Sequence, residues 1–387
     1  MPGEDAPTGA QPARFRFPWR AGNRFELLVD GPVFFDRMLR EIEGAQREVL
    51  LEIYLAESGA VMDRFAQALV RAAARGVAVY ALFDDFGARG LSAADRRRLA
   101  SGGVRLAFYN ALRHAKLLQN LFRDHRKLLL ADARVAFVGG AGLTDEFHPE
   151  PPALPWRETM LRIEGPVVAD WRALFAETWA RCAGRLPPLA AAPVEAGGQR
   201  GRVATSASLR RDEIVRSVRG RIAAARERAW VATAYFVPPW SLRRALRRAA
   251  RRGVDVRLLL PGPITDHPTV RQAGRRHYDR LLRAGVRIWE YQRRFLHAKA
   301  VLCDRWASVG SSNLDRWTLR WNLEANQEID DADFARELEA VFLADFAASV
   351  EIDPVRWARR RWTVRLAEWL AGKVESWLVR LPPRRWR

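Results

Sequence analysis

Cysteine is nearly absent from this chain: two residues, Cys182 and Cys303, in 387. They stand far apart and in no metal-ligand spacing, which excludes a disulfide framework and fits a reducing compartment. Long apolar runs are missing as well. None reaches the ~18 residues of a membrane span, so any membrane is met from its surface. The opening MPGEDAPTGAQPARFRFPWR lacks the apolar core of a signal peptide and reads as a disordered tail over residues 1–20. Acid is in deficit: 65 Lys and Arg against 45 Asp and Glu leave a net charge of +20. Such a surface favours polyanionic partners, whether nucleic acid, anionic lipid or another phosphate-rich species. Hydrophobic residues make up 49%, enough for sizeable cores, and the length allows two domains.

The chain repeats itself once. HRKLLLAD (125–132) recurs as HAKAVLCD (297–304), keeping His-x-Lys-x-x-x-x-Asp. REVLLEIYLA (47–56) matches RAWVATAYFV (228–237), and RAAARGVAVYALFDDFG (71–87) matches RRAARRGVDVRLLLPG (247–262). In the latter pair an amphipathic helix ends at a glycine, Gly76 or Gly253, and a buried strand follows. Each half therefore reads as strand, helix, strand, helix, strand and then a hairpin opened by histidine, an α/β alternation. The Pro-, Ala- and Gly-rich stretch 185–201 reads as a linker between a first domain, 21–184, and a second, 202–350. With alternation along a strand, His125 and Lys127 share one face, and His297 and Lys299 do the same in the second copy. Asp132 and Asp304 fall at the turns, where they support the hairpins.

Two copies of the motif at equivalent places in a tandem repeat resemble the signature of the phospholipase D superfamily. The small-residue turns Gly139–Gly140 and VGSSNLD (309–315), with WRETMLRIEG (156–165) and NLEAN (322–326), resemble further segments of that family. DEFHPE (145–150), YFVPP (235–239) and PGPITDHPTVRQAGRRHY (261–278) resemble the bacterial cardiolipin synthase branch. The resemblance spans roughly residues 21–350. It implies two phospholipase D-like α/β domains related by a pseudo-twofold, mixed sheets flanked by helices, and an active site at the domain interface. It also implies His125 as nucleophile, His297 as acid/base, and Glu158 and Glu324 as carboxylates that orient the imidazoles.

Those residue types suit phosphodiester exchange. A phosphodiester disperses negative charge, so cations and hydrogen-bond donors must meet its oxygens. Lys127 and Lys299 supply the charge, and Gly140, Ser311 and Asn313 are candidate donors. One imidazole attacks phosphorus and the other handles the proton of the leaving and entering alcohols. No cofactor or metal is called for. Where the family pattern has Asn, the first half has Gly142, so the two halves meet the phosphate unequally. Cys303 shares the strand parity of His297 but reads as a small buried residue.

The expected function is a cardiolipin synthase-type phosphatidyltransferase that condenses phosphatidylglycerol with a second lipid alcohol through a phosphohistidine. Hydrolysis by the same site and a metal-independent nuclease are the alternatives. The presence of both halves in one chain argues against the nuclease and its nucleic-acid partner. Residues 351–387, basic and rich in tryptophan, place Trp362, Leu366, Trp369 and Trp377 on one helical stripe. They read as an in-plane anchor to anionic lipid at the cytoplasmic face of the cell membrane. A helix packed on the protein's own body is the competing reading.

Overall fold

The computed structural model describes residues 15–113, 119–189, 192–206, 212–360 and 362–363. The first half runs β1 (Arg20–Val29), α1 (Gly31–Gly44), β2 (Glu48–Ile53), α2 (Ala60–Ala74), β3 (Ala78–Asp84), α3 (Ala93–Ser101), β4 (Arg105–Tyr109), β5 (Arg123–Asp124), β6 (Lys127–Ala131), β7 (Val135–Gly139), β8 (Thr159–Glu164) and α4 (Val168–Ala183). The second runs β9 (Gln199–Ser206), α5 (Glu213–Ala224), β10 (Arg228–Ala232), α6 (Trp240–Arg251), β11 (Asp255–Pro261), α7 (Pro268–Arg275), α8 (Tyr278–Leu282), β12 (Arg287–Tyr291), β13 (Ala300–Cys303), β14 (Trp306–Gly310), α9 (Arg316–Trp321), β15 (Asn322–Asp330), α10 (Ala332–Ala347), β16 (Ser349–Glu351) and α11 (Pro354–Ala358).

Strand order repeats with the sequence. The first half pairs β1-β8-β7-β6-β2-β3-β4 and the second β9-β15-β14-β13-β10-β11-β12, with β16 beyond the last. In both, the three strands of the helix-linked portion run parallel and the hairpin strands antiparallel. The two sheets meet where β1 pairs with β9. This is the mixed α/β architecture with two like halves that the repeat predicted.

Apolar spacing explains the layers. Helix α1 buries Phe34, Phe35, Met38 and Ile42, and α2 buries Met62, Phe65, Leu69 and Ala72, a one-sided stripe in each case. They cover the outer face of the first sheet through Leu51, Leu129 and Phe137. Helices α5 and α6 cover the second sheet in the same way through Val231, Leu258 and Val301. Between the sheets lies a shared core. Trp171, Phe175 and Trp179 of α4 meet inner-face residues of both sheets, among them Leu130, Leu161, Leu302 and Val309, with Phe334, Leu338 and Phe342 of α10. Strand β6 is covered on both faces, so all five of its residues are buried. The halves share one interior, and neither can present its inner face to water.

The edges of the two domains differ from the sequence expectation. Residues 15–19, assigned to a disordered tail, are packed: Phe17 is buried in the shared core, and the guanidiniums of Arg202 and Arg216 lie over the Phe15 ring. Aromatics at alternate positions in FRFPW give that short stretch one apolar side, which outweighs its prolines. The linker is shorter too, because β9 begins at Gln199 and pairs with β1 and β15. At the other end β16 extends the second sheet and Trp357 of α11 is buried against Tyr278, at 5.0 Å between rings. The start of the presumed anchor is therefore part of the second domain. Trp362 is 72% exposed, while Leu366, Trp369 and Trp377 lie outside the described residues.

Asp132 and Asp304 sit at the far ends of their strands, away from the histidines. Each adopts positive φ, 53° and 50°. The Asp132 carboxylate accepts the backbone N–H groups of Gln46, Arg47 and Glu48 at 2.8–3.0 Å. Asp304 accepts those of Arg226, Glu227 and Arg228 at 3.0 Å. Each aspartate thus ties its hairpin to the start of the neighbouring strand, β2 or β10. We read both motif aspartates as supports of the hairpins rather than as proton carriers. Replacing either by Ala should cost about 2–3 kcal/mol of stability, read by urea denaturation, because three backbone donors lose a charged acceptor. Turnover per folded molecule should change less than about tenfold. A collapse of turnover in a fully folded Asp132→Ala protein would contradict this assignment.

Candidate active site

Both histidines lie just outside their own sheets. His125 precedes β6 and follows the two-residue strand β5, which pairs in parallel with β15 of the second half. Its backbone N–H donates to Leu323 O at 3.0 Å. His297 precedes β13, and its N–H donates to Arg157 O of the first half at 2.9 Å, as does Ala298 N–H at 3.0 Å. The eight-residue motif is therefore not one continuous strand. Its strand starts at the lysine or just after it, and its histidine crosses to the other half.

The side chains cross as well. His125 Nδ1 makes an ion-pair contact with Glu324 Oε1 at 2.8 Å. His297 Nδ1 is 2.5 Å from Glu158 Oε2. Glu158 opens the segment into β8 and Glu324 lies on β15, so each imidazole takes its carboxylate from the opposite half. Both carboxylates are fully enclosed, 0% and 1% exposed. Each has further local support, Glu324 also from Asn322 Nδ2 at 3.4 Å. Thr159 N–H donates to Glu158 at 2.8 Å, and Ser311 Oγ donates to Glu324. Gly140 is small for a reason: a Cβ there would sit 2.2 Å from Glu158 Oε2. Its expected place at the phosphate thus becomes room for the orienting acid. Ser311, at the matching turn, likewise spends its hydroxyl on the acid.

The lysines fill the space between. Lys127 Nζ donates to His125 O at 2.7 Å and lies over the Tyr54 ring at 5.2 Å. Lys299 Nζ is 3.0 Å from His297 Nδ1, 3.2 Å from its Nε2 and 3.6 Å from Glu158 Oε2. Burial pushes Lys127 down to about 7, against the pull of Glu324. Burial lowers Lys299 too. Burial raises Glu324 to about 8 and raises Glu158. Burial, followed by the two lysines, holds both imidazoles well below their ordinary value. The neutral imidazoles thus stand beside buried lysines whose charged form a phosphodiester would favour.

Asn313 keeps one donor in reserve. Its Oδ1 accepts from Thr233 Oγ1 at 3.4 Å, whereas its buried Nδ2 has no hydrogen-bond partner among the described residues. A buried amide donor left open beside the turn suits a phosphoryl oxygen. At the matching place the first half has Gly142. A Cβ at Gly142 would lie 2.5 Å from Leu55 O, so no asparagine fits there.

Sequence reasoning missed the aromatic surroundings. Trp156, Phe147 and Phe295 stand 5.4, 5.5 and 5.6 Å from the His297 ring, and Tyr54 stands 4.6 Å from that of His125. It also missed Arg157, whose guanidinium binds Asp345 of α10 through two contacts of 2.8 Å and so clamps the two halves beside the site. A signal for the lysines was there in composition. The chain holds only four, and two of them are Lys127 and Lys299. Cys303 is buried on β13, with burial raising its thiol, and it has no part in the site. Among the described residues no cluster of three or more His, Cys, Asp or Glu could hold a metal.

Comparison with known proteins places the chain in a family. The family described as cardiolipin synthase, PLD-like domain, matches residues 38–179 and 218–346, one copy in each half. Cardiolipin synthase A of Pseudomonas aeruginosa is 39% identical over 344 residues, covering 88% of this chain and 70% of that protein. Its counterpart in Pseudomonas fluorescens is 36% identical over 348 residues, covering 89% and 72%. Among solved structures, phosphatidylserine synthase of Haemophilus influenzae superposes with a TM-score of 0.70 at 12% identity, covering 93% of this chain and 96% of that one. Polyphosphate kinase of Porphyromonas gingivalis shares the fold at a TM-score of 0.56 and 15% identity, covering 82% and 49%. With both motif copies matched and the likeness running through most of its length, the chain belongs to the cardiolipin synthase family of phospholipase D-like enzymes.

Proposed function

We propose that this enzyme transfers a phosphatidyl group from phosphatidylglycerol to the hydroxyl of a second lipid alcohol, itself phosphatidylglycerol, through a phosphohistidine. The observation that carries the reading is the pair of imidazoles, each held by a buried carboxylate of the opposite half, with two buried lysines between them. In the first step the neutral Nε2 of His125 attacks phosphorus. The P–N bond forms as the P–O bond to glycerol breaks, and His297, protonated, gives its proton to the leaving alkoxide. In the second step His297 takes the proton of the entering hydroxyl, whose oxygen attacks phosphorus and releases His125. Lys127, Lys299 and the open Asn313 amide receive the charge on the phosphoryl oxygens.

The assignment of roles follows the contacts. The 2.5 Å approach of Glu158 to His297 favours an imidazolium there. Burial and then the lysines depress His297, and the negative charge of a bound phosphodiester opposes them, returning its proton. The rings of Trp156, Phe147 and Phe295 shield the same side from water, which favours transfer over hydrolysis. Association with the membrane surface is part of the proposal. No helix among the described residues is long and apolar enough to cross a membrane, and the basic, Trp-rich residues 364–387 supply the attachment.

Three tests follow from this reading. Purified protein incubated with phosphatidylglycerol vesicles and EDTA should yield cardiolipin and free glycerol by mass spectrometry. His125→Ala and His297→Ala should each lose about three orders of magnitude or more. Phosphatidic acid as the sole lipid product would make the enzyme a hydrolase instead. The pH profile of kcat/KM should fall on the alkaline side of about 7, roughly tenfold per unit, as Lys127 loses its proton. Lys127→Arg, which keeps its charge, should remove that limb even at a lower rate. A profile flat to pH ~9 in the wild type would refute the role of the Lys127 charge. Because Trp357 belongs to the core, the informative truncation removes 364–387 only. It should weaken co-sedimentation with anionic vesicles, and undiminished binding would discard the anchor.

A further inference from the structure

A cavity of ≈ 550 Å³ opens in the second half between α5, the start of α6 and α9. Its size is that of a ligand site and far exceeds the space of one water. Arg216, Arg219, Arg243, Arg316 and Arg320 line it, with Asp212 as the one carboxylate and Trp240 and Ser241 at its rim. Asp212 is engaged as the N-cap of α5, accepting from Val215 N–H at 2.9 Å. Among the described residues, Arg216 Nη2 and Arg243 Nε are buried without a hydrogen-bond partner. Burial, with Arg276 and Arg316 next, pushes the Arg243 guanidinium down to about 10, the mark of crowded cations.

The internal repeat shows that this charge is particular to the second half. Gln46 and Arg226 occupy matching places under the two hairpin aspartates, so Asp36 of α1 corresponds to Arg216 of α5. At the turns Gly142 corresponds to Asn313, and hence Asp145 to Arg316. In the first half Asp36 pairs with Arg64 at 2.6 Å, and Asp145 accepts the first N–H groups of α2, from Ala60 and Val61, at 3.1 and 2.8 Å. Glu43 likewise neutralises Arg71 there. In the second half arginines replace both aspartates, and the N-cap of α6, Pro239, offers no side-chain acceptor. Where the first half carries its own anions, the second is built to receive one. The chain links the cavity to the site: only Leu314 and Asp315 lie between Asn313 and Arg316, a reach of at most about 11 Å.

We propose that this cavity is a second phosphate site, which holds the headgroup phosphodiester of the acceptor lipid while its free hydroxyl reaches the phosphohistidine. The inference rests on the transferase reading. It also gives that reading a reason to prefer a phospholipid alcohol over water, since only the former carries an anion for the arginines.

Two experiments on the full chain test it. Cardiolipin formation is compared with phosphatidylethanol formation when ethanol replaces the lipid acceptor. Arg216→Gln/Arg316→Gln should lower the first about tenfold or more, through the lost charge-assisted bonds, and leave the second within about twofold. Equal loss of both, or loss of neither, would overturn the acceptor role. The second experiment needs no turnover. His297→Ala protein is titrated calorimetrically with dihexanoyl phosphatidylglycerol and with inorganic phosphate. The lipid should fill two sites, and the added arginine substitutions should remove one. Retention of both sites would overturn the proposal, as would a cavity that binds inorganic phosphate without displacement by the lipid. A wild-type protein that makes no cardiolipin yet loses one lipid site on substitution would fail the transferase reading and leave the second phosphate site standing.

Discussion

Each motif imidazole depends on a carboxylate from the opposite half. His125 leans on Glu324 and His297 on Glu158, and both acids are sealed from solvent. A buried carboxylate is tolerated only when paired and hydrogen-bonded. The same contact therefore orients the histidine and excuses the burial of the acid. It makes the interface between the halves a condition of the chemistry. The backbone bonds from His125 to Leu323 O and from His297 to Arg157 O, the Arg157–Asp345 clamp and the shared tryptophan-rich core all serve to keep that interface closed.

The electrostatics of the site follow from that closure. Two lysines, two glutamates and two imidazoles are buried together, so each group is pushed toward its neutral form. A phosphodiester anion favours the lysine charges and then a proton on one histidine, while it leaves the two buried carboxyls displaced toward their neutral form. The protein thus holds its cations ready at the cost of their own solvation, and binding substrate removes that cost.

The two halves are alike in topology and unlike in detail, and the differences concentrate where function needs direction. Gly142 closes against Leu55 O where Asn313 leaves an amide open. Asp145 caps a helix where Arg316 faces a cavity. A symmetric scaffold supplies two histidines, while these substitutions make the surroundings of the two halves unequal.

The paired His-x-Lys motifs, the α/β alternation and the turn position of the aspartates were all legible in sequence, because each rests on local period and spacing. The ends of the domains were less so. Phe17 and Trp357 read as parts of polar, proline- or arginine-rich tails, and only the surfaces they cover reveal them as core. The expected phosphate-facing roles of Gly140 and Ser311 also changed, since spacing shows that a turn is there without showing what fills it. By itself, then, the sequence determined the chemistry: which side chains exist, in duplicate, to exchange a phosphodiester. The tertiary structure decided which histidine meets which glutamate, because that pairing crosses 139 residues of chain in one case and joins opposite halves in both. No local pattern encodes a contact that arises only when two sheets close over a common core.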